Sequence, residues 1–304
     1  MRRIAGTDLD VFPLCLGGNV FGWTADERES VAVLDRYIEV GGNFIDTADL
    51  YAGGESEAIV GRWMLARANR DWLVIATKVG MAAGYEGLSA ANIRAAADES
   101  LRRLQTEHID LYYAHRDDPD TPIEETLEAF DGLVRAGKVS HVGASNYTAP
   151  RLAEALGVAD RRGFARFVAL QPHYNLVERR EYESELGGLV TREGLACLPY
   201  FALARGFLTG KYRPDGSTVD GPRASGARAY LDARGTAVLE ALDAVAAAHA
   251  TTVAAVALAW LLAQPTVTAP IASARTPEQL TALLPMTELS LTADELDRLA
   301  VASA

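Results

Sequence analysis

Four residues with acid–base chemistry end or follow apolar runs of this sequence. Asp46 closes "NFID", Tyr51 follows it in a polar, glycine-rich loop, Lys78 ends "VIATK" and His115 ends "LYYAH". A tyrosine of pKa ~10 is a poor acid at neutral pH, and a neighbouring ammonium is expected to bring it toward the working range by stabilising its phenolate. Lysine suits that task because it is a compact point charge, where arginine presents a broad fork. An aspartate beside the lysine would keep it charged and aimed, and a histidine opposite could hydrogen-bond an oxygen that gains charge. Each has a plainer reading alone: Asp46 as a turn cap, His115 as a satisfied core histidine, Tyr51 as a half-buried wall residue. Lys78 resists that treatment. Of the 29 basic residues only Lys78, Lys138 and Lys211 are lysines, and a lysine ending an apolar strand needs a buried partner.

The elements that would position these groups are regular. Apolar runs recur at 13–17, 43–46, 73–77, 109–114, 139–144, 167–171, 195–200 and 267–271. Helical spacing separates them, as in "ESVAVLDRYIEVGG" and in "SAANIRAAADESLRRLQ", which opens on the N-cap candidate Ser89. Eight strands alternating with helices predict an α/β fold with a parallel sheet. The 304 residues fit one (β/α)8 TIM barrel spanning 1–304 better than two domains. "RRIAGTDLDVFPLCLG" reads as an N-terminal β-hairpin leading into it, and "TADELDRLAVASA" as an extra capped C-terminal helix. A long Gly-, Arg- and Pro-rich loop spans 201–234, the kind of insertion that usually carries function. Chemistry in such barrels sits at the C-terminal strand ends, where the four residues fall.

Bulk composition narrows the partners. A formal charge of −12 repels nucleic acid and anionic membrane, so a small molecule is the expected partner, and a phosphorylated one needs a local basic pocket. The apolar run at 253–263 falls short of the ~20 residues that cross a bilayer and reads as a buried helix. "MRRIAGTDLD" has no apolar segment behind its arginines, so a cytoplasmic location is expected. Cys15 and Cys197 read as reduced, buried thiols, and no metal-ligand spacing occurs.

With these motifs in order, the sequence resembles the aldo-keto reductase superfamily, most closely its short-loop bacterial members and the related β-subunits of potassium channels. The resemblance is carried by "FIDTADLY", "ATKVG", "YYAHRDDPDTPIEETL" and "GKVSHVGASNY". It implies that Asp46, Tyr51, Lys78 and His115 form a catalytic tetrad with Tyr51 as general acid. The implied reaction is direct hydride transfer from NADPH to an aldehyde or ketone, without metal. It further implies cofactor contacts from Gly18, Asn19 and Asp46. Ser145, Asn146 and Gln171 would hold the carboxamide, and Tyr200 would stack on the nicotinamide. Phe201, Leu203, Gly206 and Lys211 would lie along the pyrophosphate, with Ser273, Arg275 and Gln279 at the adenosine 2′-phosphate and adenine. An arginine fork against that phosphate favours NADPH over NADH. Phe21, Trp23, Tyr51 and His115 would line the substrate mouth.

The chain departs from the family at "YFAL", where Phe201 and Ala202 replace Ser-Pro, and at Leu283, which stands where an adenine-binding Asn is usual. Two other functions stay open on the sequence: a cofactor-binding regulator with vestigial turnover, and a Schiff-base lyase using Lys78.

Overall fold

The structure is a computed structural model describing residues 1–214 and 221–304. Its sheet is built from β1 (Cys15–Gly17), β2 (Phe44–Asp46), β3 (Val74–Val79), β4 (Ile109–Ala114), β5 (Val139–Ser145), β6 (Phe167–Gln171), β7 (Ala196–Cys197) and β8 (Ile271–Ala272). Neighbours pair in parallel in the order β7-β6-β5-β4-β3-β2-β1-β8. The ends of that row meet. Ile271 N–H donates to Pro199 O and Thr268 N–H to Cys197 O, both at 2.9 Å, and Cys197 bridges Val267 in parallel. This closes a (β/α)8 barrel, as the alternation of runs predicts.

Strand period decides what points inward. Phe44, Val74, Ala76, Leu111 and Tyr113 share one interior cluster, whereas Ile45, Ile75, Val79 and Tyr112 pack outward under the helices. Asp46 and Lys78 continue the inward rows of β2 and β3, and His115 continues that of β4. Tyr113 fills the space below them because Gly143 on β5 has no side chain; a Cβ there would lie 2.5 Å from the tyrosine ring.

The last two strands are shorter than their apolar runs. Pro199 and Pro270 lack the N–H a ladder needs, so each contributes only its carbonyl, Pro199 to Ile271 and Pro270 to Cys15. The helices follow their caps. Asp26 and Glu29 form a capping box at α1 (Glu27–Glu39), Glu55 opens α2 (Glu55–Arg67), and Ser89 caps α3 (Ala90–Leu104). The C-terminal helix α4 (Ala293–Ala302) starts on the Thr292/Glu295 box. The apolar helix Val253–Leu262 is buried continuously over 254–261, and among the described residues no single helix is long and apolar enough to cross a membrane. At the other end of the barrel Arg2–Arg3 pairs antiparallel with Asp10–Val11, and Ile4 and Val11 seal the interior cluster.

Candidate active site

The register of β2 and β3, with Asp46 opposite Ala76, brings Lys78 level with the loop that follows Asp46. The fully buried ammonium uses all three of its donors there: Asp46 Oδ2 at 2.6 Å, Thr47 O at 2.7 Å and Tyr51 Oη at 3.4 Å. The loop can present Tyr51 because the backbone turns left-handed at Ala52, Gly53 and Gly54, with φ of 51°, 67° and 93°, before α2 begins. The Tyr51 ring meets His115 edge to face, with centroids 6.1 Å apart. The four residues expected to act together are therefore in one place.

Their protonation follows from burial and neighbours. Desolvation alone would lower Lys78, but Asp46 and Tyr51 outweigh it and hold the ammonium above its ordinary value. Burial, with Lys78 and Arg116, pushes His115 well below its ordinary value, so its imidazole is neutral, and its Nδ1 is buried without a partner. Tyr51 corrects the sequence expectation. Burial raises it, Asp46 adds to the rise, and the opposing pull of Lys78 does not win. The phenol is thus protonated and able to donate.

Several residues expected at the cofactor make internal contacts. Gln171 Nε2 donates to Asp46 Oδ1 at 2.8 Å, so both aspartate oxygens are held. Ser145 Oγ donates to Gln171 O, and Asn146 Nδ2 donates to His115 O and Ser145 Oγ. Tyr200 Oη donates to Asn146 Oδ1 at 2.7 Å. Ser273 Oγ donates to Asn19 Oδ1 at 2.6 Å beside Gly17, and Arg275 N–H donates to Gln279 Oε1. Leu203 is buried, a Cβ on Gly206 would lie 3.5 Å from Lys211 Nζ, and Phe201 adopts φ of 49°. Phe21 is fully buried and lies behind the mouth, because its ring packs into the core under Gly18. Trp23 is at the surface, 54% exposed, with the Arg223 guanidinium 5.5 Å from its ring. The long loop carries a left-handed run at Ala204, Arg205 and Gly206, and its residues 215–220 lie outside the described residues.

Sequence reasoning missed Arg223 and Arg205, hidden among many surface arginines. Lys211 is held below its ordinary value by burial and by Arg275 and Arg223; Arg223 is lowered by burial, with Arg275 and Arg205 adding to it. Like charges crowded together suit a polyanion, and no ion pair ties Lys211, Arg205, Arg223 or Arg275 to any described residue. That donor set fits the phosphates of a dinucleotide.

Sequence reasoning also missed two buried carboxylates close to the tetrad, Asp49 and Glu57. Glu57, fully buried, accepts from Thr77 Oγ1 and Arg103 Nε at 2.6 Å each. Asp49, two residues before Tyr51, is buried with neither oxygen partnered, and burial with the charge of Glu57 pushes it up to about 7. Its pKa lies above the ordinary 3.8, so the folded state holds a proton that the unfolded state releases. The stabilisation is complete below that ordinary value and is lost as pH rises through 7. Asp49→Asn is expected to stabilise the protein at pH 8 by about 2–4 kcal/mol and hardly at pH 4. Thermal melts across that range check the sign; an equal effect at both ends would sink it.

Comparison with known proteins identifies the family. The model of the aldo/keto reductase family matches residues 13–303. The chain is 37% identical to "Uncharacterized oxidoreductase YrpG" of Bacillus subtilis, with 94% of this chain and 90% of that protein aligned. It is 35% identical to "Norsolorinic acid reductase stcV" of Emericella nidulans, covering 94% and 76%. It is 32% identical to "Aryl-alcohol dehydrogenase GME11368" of Pestalotiopsis microspora, covering 95% and 78%.

Proposed function

The chain belongs to the aldo/keto reductase family of oxidoreductases, and from that premise we propose that it reduces an aldehyde or ketone to the alcohol with NADPH. The observation that carries the reading is the Lys78 ammonium spanning Asp46 and Tyr51. NADPH, when bound, supplies the hydride. Tyr51 gives its phenolic proton to the carbonyl oxygen as charge develops there, and Lys78 stabilises the phenolate left behind. Asp46, itself fixed by Gln171, keeps the ammonium aimed. The neutral His115 ring, with one N–H to offer, orients the carbonyl oxygen against Tyr51.

On this reading Tyr200, Ser145, Asn146, Gln171, Asn19 and Gly18 hold the nicotinamide half. Lys211, Arg223, Arg275 and Ser273 receive the phosphates. Arg275→Ala is expected to weaken NADPH binding about tenfold or more, the loss of a charge-assisted contact, and to leave NADH within about twofold. Equilibrium titration of both cofactors checks this, and an equal loss for NADH would remove the 2′-phosphate assignment.

The Schiff-base alternative finds no support. A nucleophilic lysine must be neutral, whereas Lys78 is held protonated with all donors engaged. A small-molecule carbonyl partner, without nucleic acid or membrane, is consistent with the charge of −12, and a cytoplasmic location with two buried free thiols. One relative is named for an aryl alcohol, and exposed Trp23 offers an aromatic face at the mouth. The test is a panel of aryl aldehydes, keto-sugars and diketones assayed with NADPH and NADH side by side. Absence of carbonyl-dependent NADPH oxidation across the panel would count against the reading.

A further inference from the structure

We infer that His173 is a positioning residue that braces the Tyr200 ring from one side and so sets the face Tyr200 offers to the nicotinamide; the inference rests on the cofactor reading above. The two rings lie nearly parallel, 15° apart in plane and 5.3 Å between centroids, and their backbones form a parallel bridge. Tyr200 is anchored at its hydroxyl by Asn146. Phe201 closes the corner edge-on to both rings, 5.5 Å from His173 and 5.2 Å from Tyr200. Phe201 is itself fixed: its carbonyl accepts from Asn175 Nδ2 at 3.0 Å and Arg205 covers its ring at 5.0 Å.

The brace matters because the protein is not close-packed beside it. A cavity of about 80 Å³ adjoins the stack, lined by Asn146, Tyr147, Glu181 and Tyr182 together with the two stacked rings. Space of that size admits water, so removing the imidazole would let Tyr200 tilt about its hydroxyl anchor. Burial, reinforced by Arg205 and opposed by Glu178 and Glu181, keeps His173 below its ordinary value. It therefore packs at neutral pH as an uncharged flat ring. No feature of "LQPHYN" assigns this role in advance, because the partner ring follows a different strand, β7.

The test measures dissociation constants of NADPH and of its adenosine half, 2′,5′-ADP, for the wild type and for His173→Ala, His173→Phe and Tyr200→Ala. Offset aromatic stacking predicts that His173→Ala weakens NADPH about 3- to 10-fold, while His173→Phe stays within about twofold of wild type. Binding of 2′,5′-ADP, which lacks the nicotinamide, should be equal in all four proteins. Unchanged NADPH affinity in His173→Ala, or equal weakening of both ligands, would overturn the proposal. If Tyr200→Ala also binds NADPH normally, the nicotinamide assignment falls with it; if Tyr200→Ala alone weakens, only the brace is wrong.

Discussion

Tyr51→Phe is expected to lower the turnover of carbonyl reduction by about 10²–10⁴-fold, the usual contribution of a positioned general acid, with NADPH affinity within about twofold of wild type. The substitution keeps the ring and its edge-to-face contact with His115. It removes the longest of the three Lys78 contacts, leaving those to Asp46 and Thr47. Stability should therefore hardly change, and the loss should sit in the chemical step. Among the described residues, the two neighbours that could substitute are committed otherwise: His115 is held neutral well below its ordinary value, and the Lys78 ammonium stays engaged with Asp46 and Thr47. Single-turnover oxidation of bound NADPH by a carbonyl substrate isolates that step. A variant that still turns over at the wild-type rate would show that the proton comes from elsewhere.

Lys78→Met should be damaging twice, in stability and in turnover. Removing one partner of a buried ion pair leaves the other charge uncompensated, at a cost of about 3–5 kcal/mol; here the stranded group is Asp46, 3% exposed. Turnover should also fall by at least about 10²-fold, because the phenolate left by Tyr51 then has no adjacent cation. Adding Asp46→Asn separates the two effects. The double variant should recover most of the stability, since no buried charge is left alone, and none of the turnover. Recovery of both would mean that the pair serves folding only. The pH sign is also set. Lys78 titrates above its ordinary 10.5, so its contribution to stability is complete below that value and is lost only as pH rises beyond it. The contribution of Lys78 in the wild type should accordingly stay level from pH 6 to 9.

The strand order and the tetrad were legible because both follow rules of period and position. Apolar runs alternating with helical spacing predict a closed sheet, and residues at the ends of inward rows must meet at its mouth. Charge states were less legible. The lysine beside Tyr51 is visible in the sequence, but the burial that outweighs it is not, since desolvation depends on what the fold lays over the ring. Asp49 and Glu57 are separated by a left-handed turn, and nothing local shows that they share one buried space. Phe21 illustrates the reverse failure. The resemblance sets it with Trp23 at the substrate mouth, yet the turn after β1 sends one ring into the core and the other to solvent. Arg205 and Arg223 were lost in an arginine-rich background, where residue type carries no signal and only convergence does.

The seam between β7 and β8 has a consequence for how the molecule comes into being. Cys15 of the first barrel strand pairs with Ile271 of the last, and the ring shuts only when the 268–271 segment docks against both β1 and the β7 edge. Arg275 lies just past that seam. A chain that has not yet reached that point therefore lacks both the last stave of the barrel and Arg275. The activity should appear only once synthesis has passed the seam, and shortened chains ending before it should be inert however well their earlier strands have formed.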